Sequence, residues 1–144
     1  MVMLLAGVAL MACGTSAATV EQRPEAILYY PGSHVISGTT VPQNVVCIDD
    51  CHSAYRQVTL ETSASPDHVM AWYASNLRRS GWALGPYDSG INPISRSWQR
   101  NGGSPAGYSF GIQIGVQFLS PYFYELPYRP GLTYYTMSFS VPDS

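Results

Sequence analysis

The most regular hydrophobic pattern in the chain is the strict alternation over Tyr108–Phe118. Aromatic and aliphatic residues occupy every second position, and serine, glycine and glutamine occupy the positions between them. A period of two places successive side chains on opposite faces of a β-strand, so this segment predicts a long central or curved strand. The same pattern over Leu132–Val141 predicts a second strand with Tyr135, Met137 and Phe139 facing inward.

A period close to four residues follows Ser65 and predicts the one long helix of the chain. Its apolar residues recur at four-residue spacing at Val69, Tyr73 and Leu77. Ser65 is a favourable N-cap, and Pro66 suits the first helical position. The arginines at the far end face the negative end of the helix dipole, and Gly81 can take the left-handed cap. We therefore predict a helix within about Pro66–Ser80.

Shorter apolar-rich segments predict the remaining strands. They are Ala26–Tyr30, His34–Ser37, Val45–Ile48, Gln57–Thr62, Trp82–Leu84 and Arg96–Arg100. In Gln57–Thr62 the alternation places Val58 and Leu60 inward and Thr59 and Glu61 outward. Strands that flank a single helix and then follow one another indicate an α+β fold. We expect one domain over residues 26–144, in which a single helix packs on a curved, mainly antiparallel sheet.

The N-terminal residues 2–12 are apolar and uncharged, and they end in Leu10-Met11-Ala12-Cys13-Gly14. This run resembles a bacterial lipoprotein signal peptide with its lipobox, in which a small residue precedes the cysteine that receives the lipid. The resemblance implies cleavage after residue 12, lipidation of Cys13 and a membrane anchor in the cell envelope, facing the periplasm or the exterior. No Lys or Arg precedes the run, unlike the usual basic start of such peptides. The alternative is a buried N-terminal helix or strand with an incidental cysteine.

Residues 13–25 follow the predicted cleavage site and contain few groups to bury. We expect a polar tether behind the lipidated Cys13. Fully extended, residues 14–25 would reach at most about 40 Å, enough to hold the domain away from the membrane surface.

A second resemblance covers residues 26–85. Tyr30-Pro31-Gly32 precedes a helix that ends in Gly81-Trp82. This arrangement is similar to that of many small exported bacterial domains, most of which have no assigned activity. It implies a fold unit rather than a function.

The charge composition limits the classes of molecule that the protein is expected to bind. The formal net charge is −2, and the basic residues are seven arginines with no lysine. Nucleic-acid binding relies on clustered basic residues, so we expect no nucleic-acid partner.

The cysteine count agrees with the predicted location in the cell envelope. Of the three cysteines, lipidation of Cys13 leaves Cys47 and Cys51 as a pair. An oxidising compartment favours a disulfide between them across a short turn. The alternative is metal or redox chemistry, because Asp49, Asp50 and His52 lie in the same segment and could join the thiolates around copper or zinc.

Three groups are candidate ligand contacts. The loop aromatics Tyr122, Phe123, Tyr124 and Tyr128 can stack on a sugar or pack on a partner protein. Arg96, Trp98 and Arg100 alternate on one strand and suit carboxylates of cell-wall polymers. Gln113 and Gln117 on the outward face of the long strand can add amide hydrogen bonds. The ordinary alternatives are aromatics that cover a core edge and glutamines that only solvate a sheet.

Enzymatic chemistry has little support in the sequence. The histidines are His34, His52 and His68, and no recognisable nucleophile motif accompanies any of them. We predict no catalytic residues and no cofactor. The expected function is a non-enzymatic binding or envelope-associated accessory module, with a cell-wall glycan or an envelope protein as its partner. The alternatives are metal or redox handling through Cys47, Cys51 and His52, and a small hydrolase without a recognisable motif.

Overall fold

The structure, a computed structural model, describes residues 17–43, 53–85, 95–100, 112–120, 126 and 129–141. The described elements, in chain order, are helix α1 (Ala17–Glu21), a 3₁₀ helix (Pro24–Ile27), strands β1 (His34–Val41) and β2 (Ala54–Thr62), helix α2 (Pro66–Arg79), and strands β3 (Ala83–Leu84), β4 (Ser95–Arg100), β5 (Ile112–Leu119) and β6 (Thr133–Val141). The predicted strand Val45–Ile48 and the start of the predicted strand Tyr108–Phe118 lie outside the described residues.

The six described strands form one curved sheet in the order β1-β2-β6-β5-β4-β3. Every neighbouring pair is antiparallel, and β6 lies between β2 and β5. The sheet is not closed into a barrel, and α2 packs across it. The predicted α+β fold is confirmed.

The hydrophobic core fills one face of this sheet, which we call the helix face because α2 covers it. Alternate residues of the central strands point into this core, as the sequence pattern predicts. The buried strand residues include Val58, Leu60, Ile114, Val116, Phe118, Tyr135, Met137 and Phe139. Helix α2 contributes Val69, Met70, Tyr73 and Leu77 from its apolar stripe. The other side of the sheet is called the opposite face below.

Helix α2 begins and ends at the residues that the sequence predicts. The Ser65 side chain accepts a hydrogen bond from the His68 amide, and Pro66 occupies the first turn. At the other end, Gly81 has φ 80° and its amide donates to Arg78, while the Trp82 amide donates to Leu77 at 2.9 Å. This pair of bonds is a Schellman cap, which satisfies carbonyls that the last turn leaves open.

The segment expected to be a polar tether is instead packed structure from Ala17 onward. Val20 of α1 is fully buried in the core. The Glu21 carboxylate accepts a hydrogen bond from Thr40 at 2.7 Å, and Glu25 forms an ion pair with Arg100 at 2.6 Å. The packed part of the chain therefore begins before Ala26, because one buried valine and two bonded carboxylates attach this segment to the sheet.

The segment Ala26–Tyr30, predicted as a first strand, is not a strand in the structure. It starts as the 3₁₀ helix and continues as extended chain into a turn at Pro31-Gly32. Two tyrosine hydroxyls hold it against the core: Tyr73 donates to the Leu28 carbonyl, and Tyr135 is hydrogen-bonded to Ser33, both at 2.8 Å. Burial raises the pKa of both tyrosines, and in Tyr73 the neighbouring Tyr135 adds to the shift.

Glu61 points outward from β2, as predicted, but it is not solvated. Only 6% of the residue is exposed, because it forms an ion pair with Arg129 from the chain before β6. The Tyr134 hydroxyl accepts a hydrogen bond from the Arg129 amide at 2.9 Å and fixes that chain in place. This end of the opposite face is therefore covered.

Candidate functional site

The opposite face carries a band of small and amide side chains across the four central strands. The pairing register places Gln57, Ser138, Gly115 and Ser97 side by side in one row. Adjacent strands lie about 4.8 Å apart, so the row crosses the sheet over about 14 Å. The band thus runs perpendicular to the strands.

Longer polar side chains stand on both sides of this row. Two residues along the strands, the register aligns Thr59, Thr136, Gln117 and Ser95; on the other side it aligns Tyr55, Ser140, Gln113 and Gln99. Because Ser138, Gly115 and Ser97 in the middle row are small, while Gln57 closes one end of it, the three rows together form a trough with glutamines along its border. We call it the polar trough.

A surface cavity of about 370 Å³ occupies the polar trough. Its lining consists of Gln57, Ser95, Arg96, Ser97, Gln113, Gly115, Val116, Gln117, Thr136 and Ser138. The floor is tight at Gly115, where an added β-carbon would lie 2.6 Å from the Ser138 hydroxyl oxygen. A larger residue at Gly115 would therefore fill the trough.

The local sequence explains why these groups converge. β5 alternates apolar residues with Gln113, Gly115 and Gln117, and β6 alternates them with Thr136 and Ser138. A period of two sends Ile114, Val116, Met137 and Phe139 to the helix face and the polar residues between them to the opposite face. The Thr136 and Ser138 hydroxyls each donate weakly to a β5 carbonyl at 3.5 Å.

The trough is rich in groups that both donate and accept hydrogen bonds. Amide side chains offer one carbonyl and one NH₂ group, and each hydroxyl donates one bond and accepts others. Among the described residues of this lining, the side chains that point into the trough are uncharged, because Arg96 shares the parity of the buried Trp98 on β4 and points to the helix face. The arrangement suits recognition of a polar ligand through several hydrogen bonds.

A second cavity, of about 290 Å³, lies between α2 and the short strand β3. It is lined by Ala71, Ala74, Ser75, Arg78, Trp82, Leu84 and Trp98. Its lining is mainly apolar, and Leu84 is exposed.

The structure places the three residues that the sequence groups as a ligand-binding face at the positions of β4 that point to the helix face. Trp98 is 3% exposed and stacks on Tyr73, with ring centroids 6.3 Å apart. Arg100 lies 4.9 Å above the Trp82 ring and donates to Glu25. This expectation is corrected for Trp98 and Arg100, because their strand turns that face toward the core. Arg96 shares their face by alternation along β4, so its side chain does not point into the polar trough, although the residue borders the cavity.

Several predicted residues lie outside the described part of the chain and stay predictions. They are the lipidated Cys13, the disulfide pair Cys47 and Cys51, the alternative ligand His52, and the loop aromatics Tyr122, Phe123, Tyr124 and Tyr128.

The two described histidines do not contribute to either cavity. His34 on β1 and His68 on α2 are exposed, and neither belongs to the lining of the two cavities above. Within the described ranges, no group of three His, Cys, Asp or Glu residues is placed to hold a metal ion. Among the same residues, no helix is both long enough and apolar enough to span a bilayer.

The sequence predicts Gln113 and Gln117 as possible ligand contacts, but it does not predict the other side chains that point into the trough. Gln57, Ser97 and Ser138 come from three separate strands, and only the strand order makes them neighbours. Their one sequence signal is a polar residue at each outward position, which ordinary solvated sheets share.

Comparison with known proteins adds no relative: no family model, no curated protein and no solved structure matches the chain.

Proposed function

We propose that this protein is a lipid-anchored, exported binding module of the bacterial cell envelope, without enzymatic activity, and that its polar trough binds a cell-wall glycan. The observation that carries the proposal is the cavity of about 370 Å³ on the opposite face, lined by amide and hydroxyl side chains from four strands. A glycan that bears hydroxyl and acetamido groups is chemically complementary to this lining.

The amide side chains that border the trough suit a glycan. Gln57, Gln113 and Gln117 can each pair both of their amide groups with an acetamido group or with two neighbouring hydroxyls. Ser138 adds a hydroxyl from the floor, and Thr136 adds one from the flanking row. A sugar polymer offers donors and acceptors along its whole length, which a lining of this kind requires.

Charge and backbone pairing narrow the ligand further. The side chains of the described lining that point into the trough are uncharged amides and hydroxyls, which suit a neutral glycan rather than a densely charged polymer. Three of the strands beneath the trough, β2, β6 and β5, pair with neighbours on both sides, so their backbone groups are used within the sheet. An extended peptide that recruits unpaired backbone at a sheet edge therefore has no template on these three strands.

Affinity for such a ligand should be modest. Each neutral hydrogen bond contributes only about 0.5–1.5 kcal/mol after water is displaced. Useful binding therefore needs several sugars in contact at once, and attachment to the envelope would keep the module close to a polymeric ligand. The predicted lipidation of Cys13 supports this setting.

Equilibrium binding of acetamido-sugar oligomers to the full-length lipoprotein in detergent tests the proposal. We expect saturable binding of N-acetylglucosamine oligomers that becomes stronger with chain length. Gly115→Val should abolish it, because the new side chain fills the floor of the trough. Ser37→Val is the matched control, since Ser37 is exposed on β1 outside the cavity lining.

The result can contradict the proposal in two ways. Absence of saturable binding by the folded wild-type protein would refute a glycan site. Equal loss of binding in Gly115→Val and Ser37→Val would show that the trough is not the site. Thermal melting of each variant confirms that it remains folded.

A further inference from the structure

The length of chain between the predicted anchor and the folded domain is much shorter than the sequence indicates. Helix α1 starts at Ala17, so only residues 14–16 separate it from Cys13. Four Cα-to-Cα steps span at most about 14 Å. This reach is far below the 40 Å expected from a tether that extends to residue 25.

Helix α1 is attached to a defined side of the sheet. Glu21 accepts a hydrogen bond from Thr40 and forms an ion pair with Arg56 at 3.4 Å. Arg56 lies on β2 at the same parity as the buried Val58 and Leu60, so it points to the helix face. α1 and α2 therefore lie on the same side of the sheet, and the polar trough lies on the other.

We infer that the domain rests against the bilayer with its α1 side and presents the polar trough away from the membrane. The inference rests on the proposed lipidation of Cys13. A linker of at most about 14 Å is shorter than the thickness of the domain. The domain combines a helix layer about 10 Å across with the sheet that packs on it, roughly 20 Å in total. The anchor therefore fixes which side of the domain faces the lipid.

The exposed surface around α1 suits contact with lipid headgroups. The 3₁₀ helix packs against α1 and carries Ile27, which is 62% exposed. Ala18, Gln22 and Pro24 are also exposed on this segment and carry no charge. The exposed Glu21 carboxylate on α1 is paired with Arg56. A surface with one large apolar side chain and a paired carboxylate can settle at the interface with little repulsion of anionic lipids.

This orientation specifies where the glycan must be. With the helix layer below and the sheet above, the trough lies roughly 20 Å from the lipid surface, from the thickness of a helix and its packing distance to a sheet. The ligand is therefore a wall strand that runs close to the membrane.

Fluorescence quenching in vesicles tests the orientation. The full-length lipoprotein is reconstituted into phosphatidylcholine–phosphatidylglycerol vesicles with a small fluorescent amino acid at Ala18 or, separately, at Gln117. Quenchers attached to lipid headgroups should quench the Ala18 probe several-fold more than the Gln117 probe. The control chain carries twelve Gly and Ser residues inserted between Thr15 and Ser16, and there the two probes should be quenched to a similar, low extent.

Two results are decisive, and they can be told apart. Equal quenching of both probes in the uninserted chain, with lipid present on Cys13 by intact mass, would overturn the orientation alone. Absence of lipid on Cys13 would overturn the orientation together with the proposed anchoring. Glycan binding to the detergent-solubilised chain is independent of both outcomes.

Discussion

At the scale of single residues, buried tyrosine hydroxyls connect the N-terminal segment to the core. Tyr73 and Tyr135 each hold one point of residues 28–33, through Leu28 and Ser33. Tyr30 adds an edge-to-face contact with Trp72. A buried hydroxyl with a partner contributes modestly, but its loss leaves a carbonyl without water or a donor. These bonds explain why a segment with no regular secondary structure stays against the sheet.

The buried tyrosines predict a loss of stability at alkaline pH. Burial raises the pKa of Tyr73 and Tyr135 above the ordinary value near 10. The unfolded chain therefore releases these protons first as pH rises, and the free energy of unfolding falls above about pH 10 while remaining constant below it. Urea unfolding between pH 7 and 11 measures the effect.

Comparison with a variant assigns the alkaline effect to these residues. The double substitution Tyr73→Phe and Tyr135→Phe should lower stability at pH 7 and flatten the decline above pH 10. An unchanged slope would assign the decline to other groups.

At the scale of elements, α2 shows how much a local sequence can specify. Its cap residue, apolar stripe and terminal glycine lie within seventeen consecutive residues, Ser65–Gly81, and all agree with one another. Such consistency requires no long-range contact, so both ends are predictable from sequence alone.

Gly81→Ala tests the C-terminal cap of α2. Gly81 has a positive φ of 80°, which costs an L-residue about 1–2 kcal/mol. We expect a decrease of that size in the free energy of unfolding, measured by denaturant titration. Gly38→Ala is the matched control: Gly38 lacks a positive φ, and its β-carbon would meet Val58 at an ordinary 3.5 Å. An equal loss in both variants would contradict the role of the cap.

The N-terminal segment, residues 17–25, shows where prediction from the local sequence fails. Residues 17–25 have a single buried apolar side chain, Val20, and no periodicity that marks an amphipathic helix. Their attachment depends on Thr40, Arg56 and Arg100, which come from strands elsewhere in the chain. The polar composition alone therefore predicts a tether, whereas tertiary contacts hold the segment against the sheet.

Val20→Ala distinguishes packed structure from a tether. Removing two buried methyl groups should lower the free energy of unfolding by about 1–2 kcal/mol, whereas a residue in a free tether would have no effect. Thermal or denaturant unfolding of the full chain measures this. Gln22→Ala, at an exposed position, should change the free energy of unfolding by less than about 0.5 kcal/mol. An equally small effect of Val20→Ala would support a free tether instead of packed structure.

At the scale of the whole molecule, strand order decides both the fold and the site. The alternation in β5 and β6 predicts which side chains face the core, but it does not say that β6 lies between β2 and β5. Pairing of strands far apart in sequence depends on the complete sheet. For this reason Gln113 and Gln117 are identifiable in advance, whereas their neighbours Gln57, Ser97 and Ser138 are not. The orientation of Trp98 is not predictable from the sequence for the same reason, because it depends on the pairing of β4 with β5 and on packing against Tyr73.

The central position of β6 predicts that its loss prevents folding. β6 pairs with β2 on one side and β5 on the other, and it supplies Tyr135, Met137 and Phe139 to the core. A chain that ends at residue 132 should show no cooperative thermal transition by circular dichroism. A cooperative transition near that of the full chain would show that the remaining strands form a stable sheet by themselves.

The position of β6 also sets the timing of folding during synthesis. The two parts of the sheet, β1-β2 and β5-β4-β3, share no strand pairing until Thr133–Val141 has left the ribosome. Up to that moment the growing polypeptide lacks its central partner and remains open to chaperones. The export proposed above requires the chain to be threaded through a secretion channel before it becomes compact, and this topology delays compaction until the ninth described element is made.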